Sequence, residues 1–509
     1  MEHARECGTP EEAPLAKPCP NPAEADVVPF SRRDALALAC AVALGALWFA
    51  VFGLDVLLKD PAMLPGVGVT VFAAAWHAAL FAVGGRAMRS RVTPGTAWLL
   101  VAVAGLALVP ALFANQRMRV LDCAILAGAS LVAFASLSGF GLPVWSGLDS
   151  LGRACGFLAS SLVSHLTAPF RALARPAADR RGPLQAVARG LLVALPVLLV
   201  AVPLLAAGDS VFGGLFDRAF AQLAAANPVD AVWRVLRVAI VALLAFSLLR
   251  AARLGDAARW IPAADAPAQR TGSLETLTVA TALGALDAVY LVFCAIQFAY
   301  LFFGDPEQIG YADYARSGFF QLVAVAAVNV TALLAAVRYG RREALRSAAV
   351  RALVVVLAAC TAVMLASALL RMGLYVGAYG LTLLRLLTLF GMAFTAVCLG
   401  AAALKAFRPS LRFFRVLFAA GIALWLACNL SNVDALIAGY NVDGYLSGGI
   451  ERIDVEYLGG LSPDALPALD RLKEARPDLP GLDAARIAYR FEVEQLTWPK
   501  WSLSYLHAL

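Results

Sequence analysis

Long apolar segments constrain this chain more than any other feature of its sequence. About eleven runs of ~20 mostly apolar residues recur along it, and each is long enough to cross ~30 Å of hydrocarbon as a helix. Backbone amides in hydrocarbon must be paired within their own segment, so such runs predict helices. The runs lie at about residues 35–54, 64–84, 96–114, 120–141, 187–207, 231–250, 275–303, 317–338, 348–370, 380–404 and 412–430. The sequence therefore predicts an all-α, polytopic transmembrane helix bundle.

The composition indicates that lipid solvates most of this bundle. Of the 509 residues, 61% are hydrophobic and only 15% are charged, against roughly 45–50% apolar and about 25% charged in soluble domains. The net charge of +7 could indicate a nucleic-acid partner. However, the basic residues gather in short loops beside the apolar runs, which is typical of membrane topology. We therefore expect the lipid bilayer as a partner and no nucleic acid.

The basic loops also predict an orientation. With eleven spans, six arginine-rich clusters fall on one side, and this side is cytoplasmic by the positive-inside rule. The N-terminus is then cytoplasmic and the C-terminus extracytoplasmic, with Arg117 and Arg119 as the exception. The abundance of alanine and arginine is typical of a GC-rich bacterial genome, so the expected location is a bacterial cytoplasmic (inner) membrane.

Changes in composition divide the chain into three regions. Residues 1–33 are rich in Pro, Glu and Ala, which predicts a disordered cytoplasmic tail rather than a signal peptide. Residues 34–430 form the predicted transmembrane helical domain. Residues 431–509 have an ordinary soluble composition, and we expect a small helical extracytoplasmic region with helices at about 462–475 and from about 483. Residues 151–173 and 211–225 are candidate interfacial segments.

Asp287 is the sharpest candidate functional residue. It lies in the middle of an apolar run, where a carboxylate costs a few kcal/mol or more and must face the bundle or a cavity. At 100° per residue, Tyr290, Cys294 and Gln297 fall near its face, and Asn329 in the following span could pair with this stripe. The pattern predicts either a proton, cation or polar-substrate site, or an interhelical hydrogen-bond cluster.

Arg385 is a second candidate, because it begins about a turn and a half inside the tenth run. It could bind an anionic headgroup or substrate or pair with an acid, and the alternative is a side chain that reaches back to the interface. The cysteines form no CxxC pair, the histidines are dispersed, and no Walker A, HExxH or GxSxG motif is present. We therefore expect no catalytic residue, metal or cofactor.

Seven blocks in the second part of the chain form a distinctive pattern: LLAAGDSVF at 204–212, residues 297–303, YADYARSGFFQL at 311–322, LYVGAYGLTLLRL at 374–386, NVDALIAGYN at 432–441, YLGGLSPDALPAL at 457–469 and WPKWSL at 498–503. These blocks resemble an uncharacterised family of bacterial membrane proteins, a domain of unknown function of the DUF 4173 type, to which the DUF 4153 type is similar. The resemblance covers about residues 190–509 and implies a polytopic fold with no established activity.

Three functions are compatible with these features. The first is a non-catalytic membrane protein of envelope homeostasis, sensing or assembly, with the C-terminal tail as a surface for other envelope proteins. The second is a transporter or lipid translocator that uses Asp287. The third is an intramembrane enzyme acting on a lipid-linked substrate, although no cluster of acids or histidines at one membrane face supports it.

Overall fold

The computed structural model describes residues 29–53, 64–140, 148–174, 228–256, 274–303, 319–408, 410–494 and 496–508. Within these ranges the protein is helical, and its single β-bridge joins Leu274 to Gly340. The α-helices are α1 (Arg32–Phe52), α2 (Val67–Arg89), α3 (Pro94–Leu112), α4 (Gln116–Ala135), α5 (Leu148–Val163), α6 (Ala168–Ala174), α7 (Pro228–Leu254), α8 (Thr276–Phe303), α9 (Phe319–Tyr339), α10 (Arg342–Arg346), α11 (Ala348–Tyr379), α12 (Leu383–Phe407), α13 (Phe413–Leu430), α14 (Val433–Leu446), α15 (Val455–Gly459), α16 (Leu466–Ala475) and α17 (Leu482–Glu494).

Nine helices of the described part are long and apolar enough to cross a membrane: α1, α2, α3, α4 with its continuation to Phe140, α7, α8, α11, α12 and α13. The predicted run at 317–338 forms α9, whose described apolar part is the shorter helix Val323–Ala336. The run at 187–207 lies outside the described residues. An all-α polytopic bundle is therefore confirmed, while a total of eleven spans stays a prediction.

The other predicted segments have mixed outcomes. Residues 151–173 fall on α5 and α6, whereas 211–225 and the first 28 residues lie outside the described part of the chain. The two C-terminal helices are present as α16 and α17. A 3₁₀ turn, Pro463–Ala465, occupies the start of the predicted segment at 462–475, so α16 begins at Leu466.

Local sequence signals start the spans where the polar chain enters the apolar runs. Ser31 and Asp34 form a reciprocal capping box at the start of α1. Thr93 caps α3 in one direction, since its hydroxyl accepts from the Thr96 amide, and Pro94 lies in the first turn. These caps satisfy amides that have no partner inside the helix, which fixes the depth at which each helix begins.

The helices meet at two ends. One end carries the starts of α1, α3, α8 and α11 and the ends of α2, α7, α9 and α12, and most arginine clusters lie there. We call it the arginine-rich end. The opposite end carries the α3–α4 and α11–α12 connections and the end of α13, and residues 431–508 pack on it. We call it the capped end.

The core of the capped end is continuous with the core of the spans. One hydrophobic cluster joins Met364 and Val376 of α11 to Ile437 of α14 and Leu469 of α16. A second cluster, which includes Leu283, Leu333 and Val354, fills the same half of the bundle nearer to the arginine-rich end. The C-terminal region therefore packs as an extension of the spans.

Candidate functional site

Asp287 lies on the face of α8 that packs against α11. Its side chain is only 3% exposed, and Leu283 and Cys294 on the same face are also buried. Neither carboxylate oxygen has a hydrogen-bond partner within the described ranges. Buried polar groups normally have partners, so this carboxyl group is exceptional.

Contacts above and below Asp287 fix its depth. A Cβ placed on Gly284 would lie 4.0 Å from Leu353, and the Cys294 thiol lies 3.7 Å from the carbonyl oxygen of Cys360. Asp287 is therefore opposite the turn of α11 between Leu353 and Leu357. Both leucines, like Leu283, pack in or against the apolar cluster on the arginine-rich side.

Asn329 lies about one turn nearer to the capped end. It is fully buried, and its amide nitrogen donates to Thr361 Oγ1 at 3.0 Å rather than to Asp287. Thr361 in turn donates to the carbonyl oxygen of Leu357 at 2.6 Å. The Asn329 side-chain oxygen has no partner in the described part. Thr361 could not be predicted from the sequence, since a threonine in an apolar helix carries no signal by itself.

The remaining candidates divide between two places. Tyr290 is half-buried beside Asp287 and packs against both apolar clusters. Gln297 is in α8, but its side chain lies outside the described residues. Arg385 is at the capped end, where it donates to the carbonyl oxygens of Tyr379 and Gly380 and its guanidinium lies 4.2 Å from the centre of the Tyr375 ring. Along α11 this is about 30 Å from Asp287.

The α11–α12 connection is held by the C-terminal region. Asn441 of α14 accepts from the Leu381 amide at 2.6 Å and donates to the Leu381 carbonyl at 2.8 Å. The Leu383 amide donates to the Tyr457 hydroxyl at 2.9 Å. Gly380 has a positive φ of 76°, and a Cβ there would meet Asn441 at 2.5 Å. Only glycine fits this approach.

A second group of buried polar side chains ties α14 and α16 to the α3–α4 connection. Asp434 accepts from the Asn115 side chain at 2.7 Å and from the Ser462 amide at 2.9 Å. Asp464 accepts from the hydroxyls of Ser462 and Ser504. Ser504 also accepts from the Ala114 amide at 3.0 Å.

The C-terminal segment completes the start of α2. Gly66 and Val67 have no side-chain cap, and their amides donate to the carbonyl oxygens of Pro499 and Trp501 at 2.7 and 2.8 Å. These carbonyls take the place of a capping side chain. A Cβ on Gly66 would lie 2.2 Å from the Trp501 oxygen. Four of the sequence blocks that carry the family resemblance therefore meet at the capped end.

The capped end should respond to pH through Asp434. Burial raises the pKa of this carboxyl above its usual range, against hydrogen bonds from Ser462. A raised pKa in the folded state means that the folded protein binds more protons than the unfolded chain. Stability should therefore fall as the pH rises from the ordinary aspartate range through the raised pKa of Asp434.

We expect the detergent-solubilised protein to lose thermal stability over this pH range. In Asp434→Asn, the dependence of the melting temperature on pH should be weaker. The measurement is the apparent melting temperature across a pH series. Asp454→Asn, which alters an exposed carboxylate in the same region, is the control and should keep the wild-type slope. An unchanged slope in Asp434→Asn would contradict the assignment.

Two further buried ionic groups, Arg119 and Asp122, join distant segments. The sequence marked Arg119 only as an exception to the arginine distribution, and it gave no prediction for Asp122. The guanidinium of Arg119 donates to the carbonyl oxygens of Leu64, Pro110 and Phe113. The Arg119 side chain therefore satisfies carbonyl oxygens at the capped end. This need for a donor gives a physical reason for an arginine at the end of the bundle that has few basic residues. Asp122 in α4 accepts from the Trp425 indole at 2.8 Å.

An apolar groove of about 540 Å³ runs between α11 and α12. Its lining is mostly alanine and leucine, for example Ala362, Leu369, Ala393 and Leu399. Such a surface can accommodate an acyl chain, while it offers no group to a polar solute. Within the ranges that the structure describes, no three His, Cys, Asp or Glu side chains gather as metal ligands.

Comparisons with known proteins give one match. Residues 99–472, well over half of the chain, match the family described as a domain of unknown function, DUF4153. No curated protein and no solved structure matches the chain. The match covers the spans from α3 onwards together with α14, α15 and most of α16. The matched family is the DUF 4153 type, which the sequence resembles as a relative, while the DUF 4173 type is not confirmed. The chain therefore belongs to the DUF4153 family of proteins with a domain of unknown function.

Proposed function

We propose that this multi-pass protein is a non-catalytic component of a bacterial cytoplasmic membrane, acting in envelope homeostasis, sensing or assembly. In this proposal the N-terminus is cytoplasmic, and residues 431–509 form an extracytoplasmic surface that binds other envelope proteins. The observation that carries it is the attachment of this region to the spans by buried hydrogen bonds.

The attachment is too extensive for a tail that merely follows the last span. Asn441 and Tyr457 hold the α11–α12 connection, Asp434 and Ser504 hold the α3–α4 connection, and Pro499 accepts from the start of α2. Each buried hydrogen bond contributes about 0.5–1.5 kcal/mol. Together they keep the outward surface in a fixed position relative to the bilayer, as a docking surface requires.

The distribution of arginine supports the orientation. Asp34 pairs with Arg253 at the end opposite to the C-terminal region, and the clusters after α2, α9 and α12 lie at that same end. The positive-inside rule assigns this end to the cytoplasm. The C-terminal region is then extracytoplasmic.

Exposed apolar side chains on the C-terminal region are candidates for the binding surface. Phe491 on α17 is 62% exposed, and Ile487 one turn earlier is also exposed. Tyr440 on α14 is exposed as well. A large exposed aromatic side chain next to a second apolar one is typical of an interaction surface.

In-cell photocrosslinking tests the proposal. A photoreactive phenylalanine analogue at Phe491 should give adducts of discrete mass with other envelope proteins. The same analogue at Leu291, which is exposed on a span, is the matched control and should give lipid adducts only. Identical lipid-only products at both positions would refute a protein-binding role for the C-terminal surface.

Transport or lipid translocation is the second candidate, and one observation favours it. The unpartnered Asp287 carboxyl lies at membrane depth, where polar groups commonly mark ion or substrate pathways. The apolar lining of the groove between α11 and α12 would suit a lipid chain, but it offers no polar group to a polar solute.

A further inference from the structure

We propose that Asp287 is a reversible proton-binding site and that its protonation controls the packing of α8 against α11. The site lies in the interface between these two helices, and its protonation is independent of the role of the C-terminal region.

The surroundings of Asp287 favour the protonated form. The side chain is buried, and neither oxygen has a partner in the described part of the chain. In such surroundings, burial of an ionised carboxylate without a partner costs far more free energy than burial of the neutral carboxylic acid. The group therefore binds a proton. Asp122 differs, because the Trp425 indole donates to it.

No cation of the described protein faces Asp287. On α11, Arg351 lies about one turn nearer to the arginine-rich end, and Arg371 lies four turns nearer to the capped end. On α10, Glu343 and Arg346 belong to the arginine-rich end and are exposed. From the arginine-rich side towards the capped end, the titratable neighbours at membrane depth are Tyr290, Cys294 and Cys360.

The ligand that fits this site is a proton rather than a metal ion. Hard cations require about six or more oxygen ligands, whereas the carboxyl group is opposite the apolar turn between Leu353 and Leu357. Thr361 is already occupied by Asn329 and by the Leu357 carbonyl. A proton needs no such cage.

Loss of the proton should loosen the α8–α11 interface. Among the described residues α8 packs mainly on α11, and its other faces expose Leu277, Val289 and Val292 to lipid. A new charge between the two helices must gain water or a counterion, and this requires α8 to separate from α11 around Asp287. Cys294 would become accessible, because it is buried by the same packing.

Infrared difference spectroscopy in lipid nanodiscs tests the site. The spectrum of the wild type minus that of Asp287→Asn should contain the carbonyl band of a protonated carboxylic acid. This band should decrease reversibly as the pH is raised, while the amide bands of the backbone stay constant. Asp122→Asn is the control variant, and its carbonyl band should decrease over the same pH range as in the wild type. Absence of the band, or a band that persists until the protein unfolds, would overturn the proposal.

Alkylation of Cys294 tests the coupling. At each pH, the alkylation rate of Cys294 in the wild type is divided by its rate in Asp287→Asn. The intrinsic pH dependence of the thiol is common to both proteins and is removed by this division. This ratio should rise several-fold over the pH range in which the infrared band decreases. A constant ratio would overturn the control of packing. If Asp287→Asn does not fold, Asp287→Glu replaces it and should retain a titrating band at a shifted position.

Discussion

Replacement of Asp34 by alanine should destabilise the protein by about 3–5 kcal/mol, which is the range for removing one partner of a buried ion pair and leaving the other. Asp34 is 0% exposed, and it lies 2.6 Å from Arg253 and 3.6 Å from Arg250. The substitution leaves two guanidinium groups of α7 beside α1 without the anion that they face. We expect a marked loss of monodisperse protein after extraction and a lower apparent melting temperature.

Two variants separate the ion pair from the helix cap. Ser31→Ala removes the hydroxyl half of the capping box, keeps the backbone amide that donates to Asp34, and should reduce the stability by about 1 kcal/mol. The double variant Asp34→Ala with Arg253→Ala should lose less stability than the sum of the two single variants, because the groups interact directly. Equal losses in Ser31→Ala and Asp34→Ala would mean that the capping box, rather than the ion pair, is the important feature.

Replacement of Arg119 by alanine should have the second-largest effect. Its side chain is 1% exposed and donates to three carbonyl oxygens, those of Leu64, Pro110 and Phe113. Each unsatisfied buried acceptor reduces the stability by about 1–3 kcal/mol. With three carbonyls that gain partial hydration, we expect the free energy of unfolding to fall by roughly 3–5 kcal/mol. The readout is the apparent melting temperature in detergent.

Arg117 offers a matched control two residues away, since its side chain is exposed. Arg117→Ala should leave the melting temperature nearly unchanged, and Arg119→Lys should fall between Arg119→Ala and the wild type, because lysine cannot reproduce the planar fork of donors. Similar melting temperatures for the two alanine variants would contradict a structural role for the Arg119 guanidinium.

Much of the bundle follows from the sequence for a simple reason. Hydrophobicity is a local property, so the apolar runs could be recognised without knowledge of their neighbours. Asp287 could be found in the same way, because a single acid in a long apolar run stands out. The helices at 466–475 and 482–494 follow from proline and acidic residues near their starts.

The partners of the polar residues could not be found in this way. Asn441 meets Leu381 sixty residues away, and Ser504 meets Ala114 across most of the chain. Arg385 and Asn329 were candidate site residues, yet the sequence does not reveal that one caps the end of α11 and the other binds Thr361. A residue type fixes what hydrogen bonds are possible, while the path of the chain fixes which are made.

The sequence by itself determined that lipid surrounds this protein and that helices cross it, because these depend on the sum of many local transfer free energies. Only the tertiary structure decided which buried polar groups are paired, that the C-terminal region is anchored to three separate parts of the bundle, and that Asp287 is unpaired within the described residues. Those outcomes depend on a few contacts between distant segments, and the geometry of the packed helices alone selects them.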